Sequence, residues 1–448
     1  MTQTGKAGDN WWVFPGFEID IVATGLDLPV NLAFVPQPDR RAAPPLVYVT
    51  ELYGQVKAIT NDGQVHTYAE GLLDYEPDHR FPGTGESGLI GICVEPRSGD
   101  LFLSMIYEEG GTTRNKVIRA SSRNALRMDS SSTVIDGIPS VRAAHQIQAL
   151  TIGPDGKLYV NLGDGMIDPN VAQDDHDLRG KVLRINLDGS IPEDNPTRGS
   201  PVYAKGLRNP FGAVWRKSDG ALYISDNGPE QDDRIARVEP GGNYGWPETM
   251  RRNSLFVWEY CQAPTGIDFM QGGQFPPRYD DELFVALFGA AYQPGRAIKG
   301  KKIVKMKLND GNSGIGSYDE FVTYVGDGPA SPCGLAFGPD GLYFTDLHGE
   351  ANGVSGTPGG SIYRVSHTEL GRRGKMRVPD TNENWEKCIC GDCPSINDCM
   401  KERSEGLFCA RGKTSCQFER KGCICGECPV TSEFKLSGLY YCDAGAAE

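Results

Sequence analysis

The chain has 448 residues, 39% hydrophobic and 23% charged, with 57 glycines and 30 prolines. That is long enough for a large core and too rich in turn formers for a helical bundle. A formal net charge of −14 excludes the phosphate backbone of nucleic acid as the natural partner. No run of eighteen apolar residues occurs, so no transmembrane segment is expected. Met1 to Trp12 carries no apolar stretch of the kind a signal peptide needs, and the sequence as written reads as cytoplasmic.

One phrase recurs along the first 370 residues: an apolar strand, a turn, a second strand of Leu-Tyr-Val type, then a third strand. It runs through Leu32–Pro36, Leu46–Val49 and Gly54–Val56, then Gly91–Pro96, Leu101–Leu103 and Val117–Arg119. A third copy is Leu150–Gly156, Leu158–Val160 and Val182–Ile185, and a fourth is Ala213–Trp215, Leu222–Ile224 and Arg234–Ile235. The fifth is weaker, Leu283–Ala286 and Lys302–Val304, and Gly334–Gly341, Leu342–Phe344 and Ile362–Val365 close the series. Asp155-Gly156, Asp219-Gly220 and Asp340-Gly341 fall between strands, where a tight hairpin turn demands positive φ. Each copy exposes an apolar face that only a neighbouring copy can cover, and closing the ring leaves few open edges. The expected fold is all-β, a six-bladed β-propeller over residues 1–370. Its function is expected in loops around the channel.

Those loops carry polar residues that turn chemistry does not require. His145 leads into the third copy, Arg208-Asn209-Pro210 into the fourth, and Asn227-Gly228-Pro229 follows the fourth copy's second strand. A ring would bring a histidine, an arginine and an amide to one channel mouth, a set suited to proton abstraction and anion stabilisation. Gly83–Gly88 matches G-x-G-x-x-G, but a strand follows it where a dinucleotide site needs a helix.

With Glu86 before Gly88-Leu89-Ile90-Gly91, Gly180–Asn186 and Gly242–Pro247, these segments make an ordered set that resembles the soluble quinoprotein glucose dehydrogenase and sorbosone dehydrogenase family. The resemblance spans roughly Phe17 to Val365. It implies a propeller that holds pyrroloquinoline quinone (PQQ) and Ca2+ at the channel mouth and oxidises a small sugar, passing hydride to the quinone. By this resemblance His145 is the base, Arg208 and Asn209 contact the quinone oxygens, and Asn227 lines the cofactor. The carbonyls of Gly228 and Pro229 ligate calcium, Glu86 sits on the substrate side, and Arg296 of the fifth copy's loop is the cation for the cofactor carboxylates. Ala144 stands where the family carries an acid, which leaves His145 without an orienting partner in its own segment. Enzymes of this family work outside the cytoplasm, so a periplasmic or membrane-peripheral location is the alternative. The rival functions are a non-catalytic propeller subunit of a larger complex and a sugar-lactone hydrolase.

Ten of the thirteen cysteines crowd between Cys388 and Cys442, whereas Cys93, Cys261 and Cys333 read as buried core thiols. Residues 371–387 read as a linker, and 388–448 as a duplicated cysteine-rich domain. Cys388-Ile-Cys390-Gly-Asp-Cys393-Pro is repeated as Cys423-Ile-Cys425-Gly-Glu-Cys428-Pro, with Cys409 and Cys442 further downstream and Cys399 and Cys416 left over. Three thiols within six residues can face one centre that a fourth completes. Two metal sites are expected, Cys388, Cys390, Cys393 with Cys409, and Cys423, Cys425, Cys428 with Cys442. Zn2+ is the first expectation, an iron–sulfur cluster passing electrons to an acceptor protein the second, and disulfides the third. The tail also resembles a small cysteine-rich family of unassigned function.

Overall fold

The computed structural model describes residues 10–35, 45–75, 81, 85–141, 144–289, 294–348, 359–368, 378, 381–434, 436 and 438–444. The chain forms two compact units, residues 1–366 and 367–448. No helix among the described residues is long and apolar enough to cross a membrane.

The first unit is a six-bladed β-propeller of antiparallel sheets. Blade 1 orders Pro29–Phe34, Pro45–Glu51, Gln55–Thr60 and Val65–Ala69 from the channel outwards, and blade 2 orders Leu89–Val94, Leu101–Glu109, Thr112–Ser121 and Ser130–Pro139. Blade 3 is Ile147–Ile152, Leu158–Leu162, Lys181–Ile185 and Val202–Lys205; blade 4 is Gly212–Trp215, Leu222–Asp226, Asp233–Val238 and Ser254–Trp258. Blade 5 begins one strand earlier than the sequence pattern indicates, with Pro264–Phe269 innermost, then Leu283–Leu287, Lys302–Leu308 and Ile315–Tyr324. In blade 6, Pro332–Phe337, Leu342–Asp346 and Gly360–His367 take Phe17–Leu26 from the start of the chain as their outer strand. Trp11–Val13 adds a fifth strand to blade 5. The chain's beginning thus closes the ring, and Trp11 is buried against the rings of Tyr324, Phe344 and Tyr363.

Second strands are buried on both faces because a blade lies on either side, so Leu158–Leu162 and Leu342–Asp346 are buried throughout. One position in five of the six second strands joins the blades. Two residues after its aromatic, the second strand carries Thr50, Ser104, Asn161, Ser225 or Thr345. These side chains donate to the next blade's inner strand, at Ile90 O (3.0 Å), Gln148 O (2.7 Å), Gly212 O (3.2 Å), Thr265 O (2.6 Å) and Val30 O (3.3 Å). Blade 5 has Ala286 there, and the Thr265 hydroxyl reaches Pro332 O (3.4 Å) instead. Thr345 makes the closing junction and also accepts from Gly334 N–H (2.8 Å). Thr345→Val keeps the shape and leaves that buried amide unpartnered, so the urea midpoint should fall by the equivalent of about 1–3 kcal/mol with the slope unchanged. An unaltered midpoint would show that packing alone closes the ring.

The turn aspartates do more than shape hairpins. Asp155, Asp219 and Asp340 accept from Tyr159, Tyr223 and Tyr343 at 2.7 to 3.0 Å, and each pairs with an arginine, Arg184, Arg216 and Arg364. Gly156 and Gly220 have the expected positive φ of 72° and 65°. Gly341 is outside the left-handed region, and its glycine serves a close approach: a Cβ there would lie 2.4 Å from the Val365 carbonyl oxygen.

The second unit is built of short helices, Asn382–Lys387, Asp398–Glu402, Phe408–Arg411, Pro429–Glu433 and Tyr441–Ala444, with single 3-10 turns at Cys390–Asp392 and Cys425–Glu427. Its core gathers Val378, Met400, Leu407, Phe408, Val430 and Tyr441 with several cysteines, and Trp385 packs on it. The stretch read as a linker, 371–387, therefore contributes Val378 and the Trp385 helix to this unit, while 371–377, 379 and 380 lie outside the described residues. The two left-over thiols form a disulfide, Cys399–Cys416, with Cα atoms 6.1 Å apart.

Candidate active site

The inner strands surround a central channel, and one of its ends opens into a cavity of about 290 Å3. Glu86, His145, Arg208, Asn209, Asn227, Gly228 and Pro229 line its polar side, facing Val30, Phe81, Phe288 and Leu347. Seven residues picked out from separate loops therefore meet in one place. Arg296 does not join them: it is exposed, and its Nε donates to the Val325 carbonyl. Residues 290–293 of the same loop lie outside the described residues.

His145 is buried and sits at a backbone φ of 60°, uncommon for a residue with a side chain. Neighbours hold it there. Its N–H donates to Glu86 Oε2 (2.7 Å), its carbonyl accepts from Gly165 N–H (3.1 Å), and Gly163 passes so close that a Cβ would lie 2.4 Å from His145 O. The ring nitrogen Nδ1 is 2.7 Å from Asp164 Oδ1. Asp164 also accepts from Met166 N–H (2.9 Å) and from Trp246 Nε1 (2.8 Å). Burial alone would raise the Asp164 pKa, but the bonds from His145, Met166 and Trp246 outweigh it and hold the carboxyl below the usual range. An ionised Asp164 fixes the proton on Nδ1 and leaves the Nε2 lone pair as the acceptor. The orienting acid that Ala144 fails to supply comes instead from the turn after the blade's second strand, Leu158–Leu162.

Glu86 ties three loops together. Besides His145 N–H, its carboxylate accepts from Gln148 Nε2 (2.5 Å) and Asn209 Nδ2 (2.9 Å). Asp226, fully buried, accepts from Asn209 N–H (2.7 Å) and Arg208 N–H (3.2 Å) and so sets the Arg-Asn pair at the mouth. The Arg208 guanidinium lies 5.5 Å from the Trp246 ring and donates to Asn227 O (3.0 Å) and Gly228 O (2.7 Å). Asp233 fastens the same turn from behind, accepting from Gly228, Gln262 and Ala263 N–H. Its pKa is pushed up by burial, against the pull of those three donors.

Two of the thiols read as core residues belong to this site, since Cys261 and Cys333 line the cavity. Burial raises both their pKa values, so neither is poised as a thiolate. Asp164, Trp246, Asp226 and Asp233 are further residues that loop reading alone does not assign to the site.

The glucose / sorbosone dehydrogenase family model matches residues 26–313, and a family described as a protein of unknown function matches 388–443. The chain is 34% identical over 194 residues to quinoprotein glucose dehydrogenase B of Acinetobacter calcoaceticus, covering 36% of this chain and 40% of that protein. It is 26% identical over 259 residues to aldose sugar dehydrogenase YliI of Escherichia coli (strain K12), covering 50% of this chain and 66% of that protein. It thus spans less than two thirds of either relative. The crystal structure of an oxidoreductase from Thermus thermophilus, described as glucose dehydrogenase, superimposes with a TM-score of 0.62 at 29% identity, covering 78% of this chain and all of the other.

Proposed function

The chain belongs to the glucose / sorbosone dehydrogenase family, and from that premise we propose that its propeller is a PQQ-type, calcium-assisted dehydrogenase of an aldose-like sugar. The observation that carries the reading is the buried His145–Asp164 pair beside Arg208 in one cavity. The cavity suits a flat, polar-edged ring system, with apolar Phe81, Phe288 and Leu347 opposite a guanidinium and two amides. Bound PQQ supplies the two-electron acceptor. The chain's own task is then to remove a hydroxyl proton and balance charge. His145 Nε2 takes the proton, Asp164 stabilises the imidazolium that results, and Arg208 and Asn209 stabilise negative charge developing at the mouth. The carbonyls of Gly228 and Pro229 are the proposed calcium ligands, hard oxygen donors of the type that ion prefers. In the structure, the Arg208 guanidinium already rests on Gly228 O, which supports a carbonyl aimed at positive charge. Calcium at that oxygen would take the place of the Arg208 guanidinium there.

Titration with PQQ and Ca2+, followed by tryptophan quenching, tests this without a guess at the sugar. Trp246 stands beside Arg208, so saturable, calcium-dependent quenching is expected, weakened by Arg208→Ala. No binding at micromolar PQQ would overturn the reading in favour of a non-catalytic propeller.

A further inference from the structure

The second unit carries a site that stands independently of the quinone reading. All eight cysteines of the two motif copies line one cavity, although they come from four separate segments. The copies do not fold as two side-by-side knuckles. Cys393 leaves its own copy, and its thiol lies 3.7 Å from the Gly422 carbonyl, next to Cys423. Ser395 anchors that crossing, donating to Gly422 O (2.6 Å) and accepting from Lys421 N–H (2.9 Å). Reciprocally, Cys388 closes the Asn382–Lys387 helix, Cys428 opens the Pro429–Glu433 helix of the other copy, and the two helices touch. Lys387 reaches Glu433 on the helix that follows Cys428 (2.8 Å). Gly406, three residues before Cys409, lies against the first copy, where a Cβ would stand 3.7 Å from that of Cys390, and Tyr440, two residues before Cys442, lies against Cys423 of the second.

Backbone geometry repeats with the same symmetry. Leu407 and Tyr440, each two residues before the downstream cysteine, both have left-handed φ, 49° and 55°. That costs energy for residues with side chains, and at Tyr440 the amide is turned towards sulfur. Tyr440 N–H points at Cys423 Sγ (3.1 Å), and Cys390 N–H points at Cys388 Sγ (3.4 Å). N–H groups directed at cysteine sulfur favour the thiolate, the form that ligates metal.

We propose that this unit binds two Zn2+ ions in sets that exchange one cysteine between the copies: Cys388, Cys390 and Cys409 with Cys428, and Cys423, Cys425 and Cys442 with Cys393. Each set is an all-sulfur tetrad of the kind that holds structural zinc. The proposed sets differ from those expected from spacing in one ligand each, Cys393 and Cys428 trading places. The free space among the thiols is about 20 Å3, little more than one water-sized sphere, and bare ions are the smallest centres that could join them. Among the described residues no three histidine, cysteine or carboxylate side chains stand in an array that could hold a metal ion, and on this proposal the ion itself draws each set together. The proposed role of the ions is to cross-link the fold.

The test uses the full chain, purified anaerobically without chelators. Elemental analysis should give two zinc per chain, released together with eight thiols on mercurial titration. Co2+ exchange then reads the ligand sets. Cys388→Ser/Cys428→Ser removes two ligands from one set and should keep one Co2+ with a complete four-thiolate spectrum. Cys388→Ser/Cys393→Ser damages both sets and should keep none. The opposite pattern overturns the exchange. Iron with sulfide overturns the zinc assignment, and eight alkylatable thiols without metal in the unmodified chain overturn the site itself.

Discussion

His145→Ala is expected to lower sugar oxidation by about 10²–10⁴-fold, the range that removal of a general base produces, while the PQQ and Ca2+ titration stays close to that of the unmodified protein. The loss should fall on kcat more than on KM, because the imidazole acts on a proton in the transition state and contributes little to holding the sugar. Asp164→Asn supplies the sharper test of mechanism. Asn is nearly isosteric and still meets Nδ1, but its NH2 can donate where the carboxylate only accepts. The ring would then carry its proton on Nε2, facing the cavity, and the base would be lost with the geometry kept. A kcat loss comparable to that of His145→Ala is the expected result, measured with an artificial acceptor and a panel of aldoses. Normal turnover in His145→Ala would remove the base assignment. Full activity in Asp164→Asn would leave His145 as base and deny the acid its orienting role.

That Asp164 escapes a sequence reading has a physical cause. His145 and Arg208 stand in loops directly before inner strands, where the repeat makes them conspicuous. Asp164 lies after a second strand, between two glycines, and looks like turn chemistry. A usable signal does exist for its neighbours. Asp226 and Asp346 end their second strands at the same repeat position, and both accept backbone N–H groups from the segment entering their own blade, Arg208 and Asn209 in one case and Ser331 in the other. Aligning second strands would have marked Asp226 as structural support for the mouth.

The blades were legible where strands are covered on both sides. They were not where one face meets solvent: Ser130–Pro139 is largely exposed along its length and offers no apolar run to read. The fifth copy is weak in the sequence because its inner strand, Pro264–Phe269, holds Gly266 and Asp268. The glycine is required by contact, as a Cβ would lie 2.5 Å from Leu335 N, and Asp268 accepts from Phe337 N–H (2.7 Å). Ring closure by Phe17–Leu26 pairs residues more than three hundred positions apart, which no local pattern records.

Arg234→Met should be the most destabilising single change near the site, by about 3–5 kcal/mol, because it strands a carboxylate in the interior. Arg234 and Asp226 have fully buried side chains with Nη2 and Oδ2 2.6 Å apart. Every guanidinium donor is used: Nε and Nη2 reach Asp226, Nη1 reaches Tyr244 O (2.6 Å) and Met250 O (2.8 Å), and Nη2 also reaches Gly206 O (3.2 Å). The arginine thus binds the loops on both sides of Trp246 to the carboxylate that positions Arg208 and Asn209. Without it, Asp226 must draw water inwards or take up a proton, and either response moves the Arg-Asn pair. The variant should therefore lose PQQ binding along with its urea midpoint. Adding Asp226→Asn removes the unpaired charge while keeping an acceptor for the Asn209 amide, so the double variant should recover part of the stability lost in Arg234→Met. If the two changes simply add, the pair contributes no mutual stabilisation, and the arginine acts through its carbonyl contacts alone.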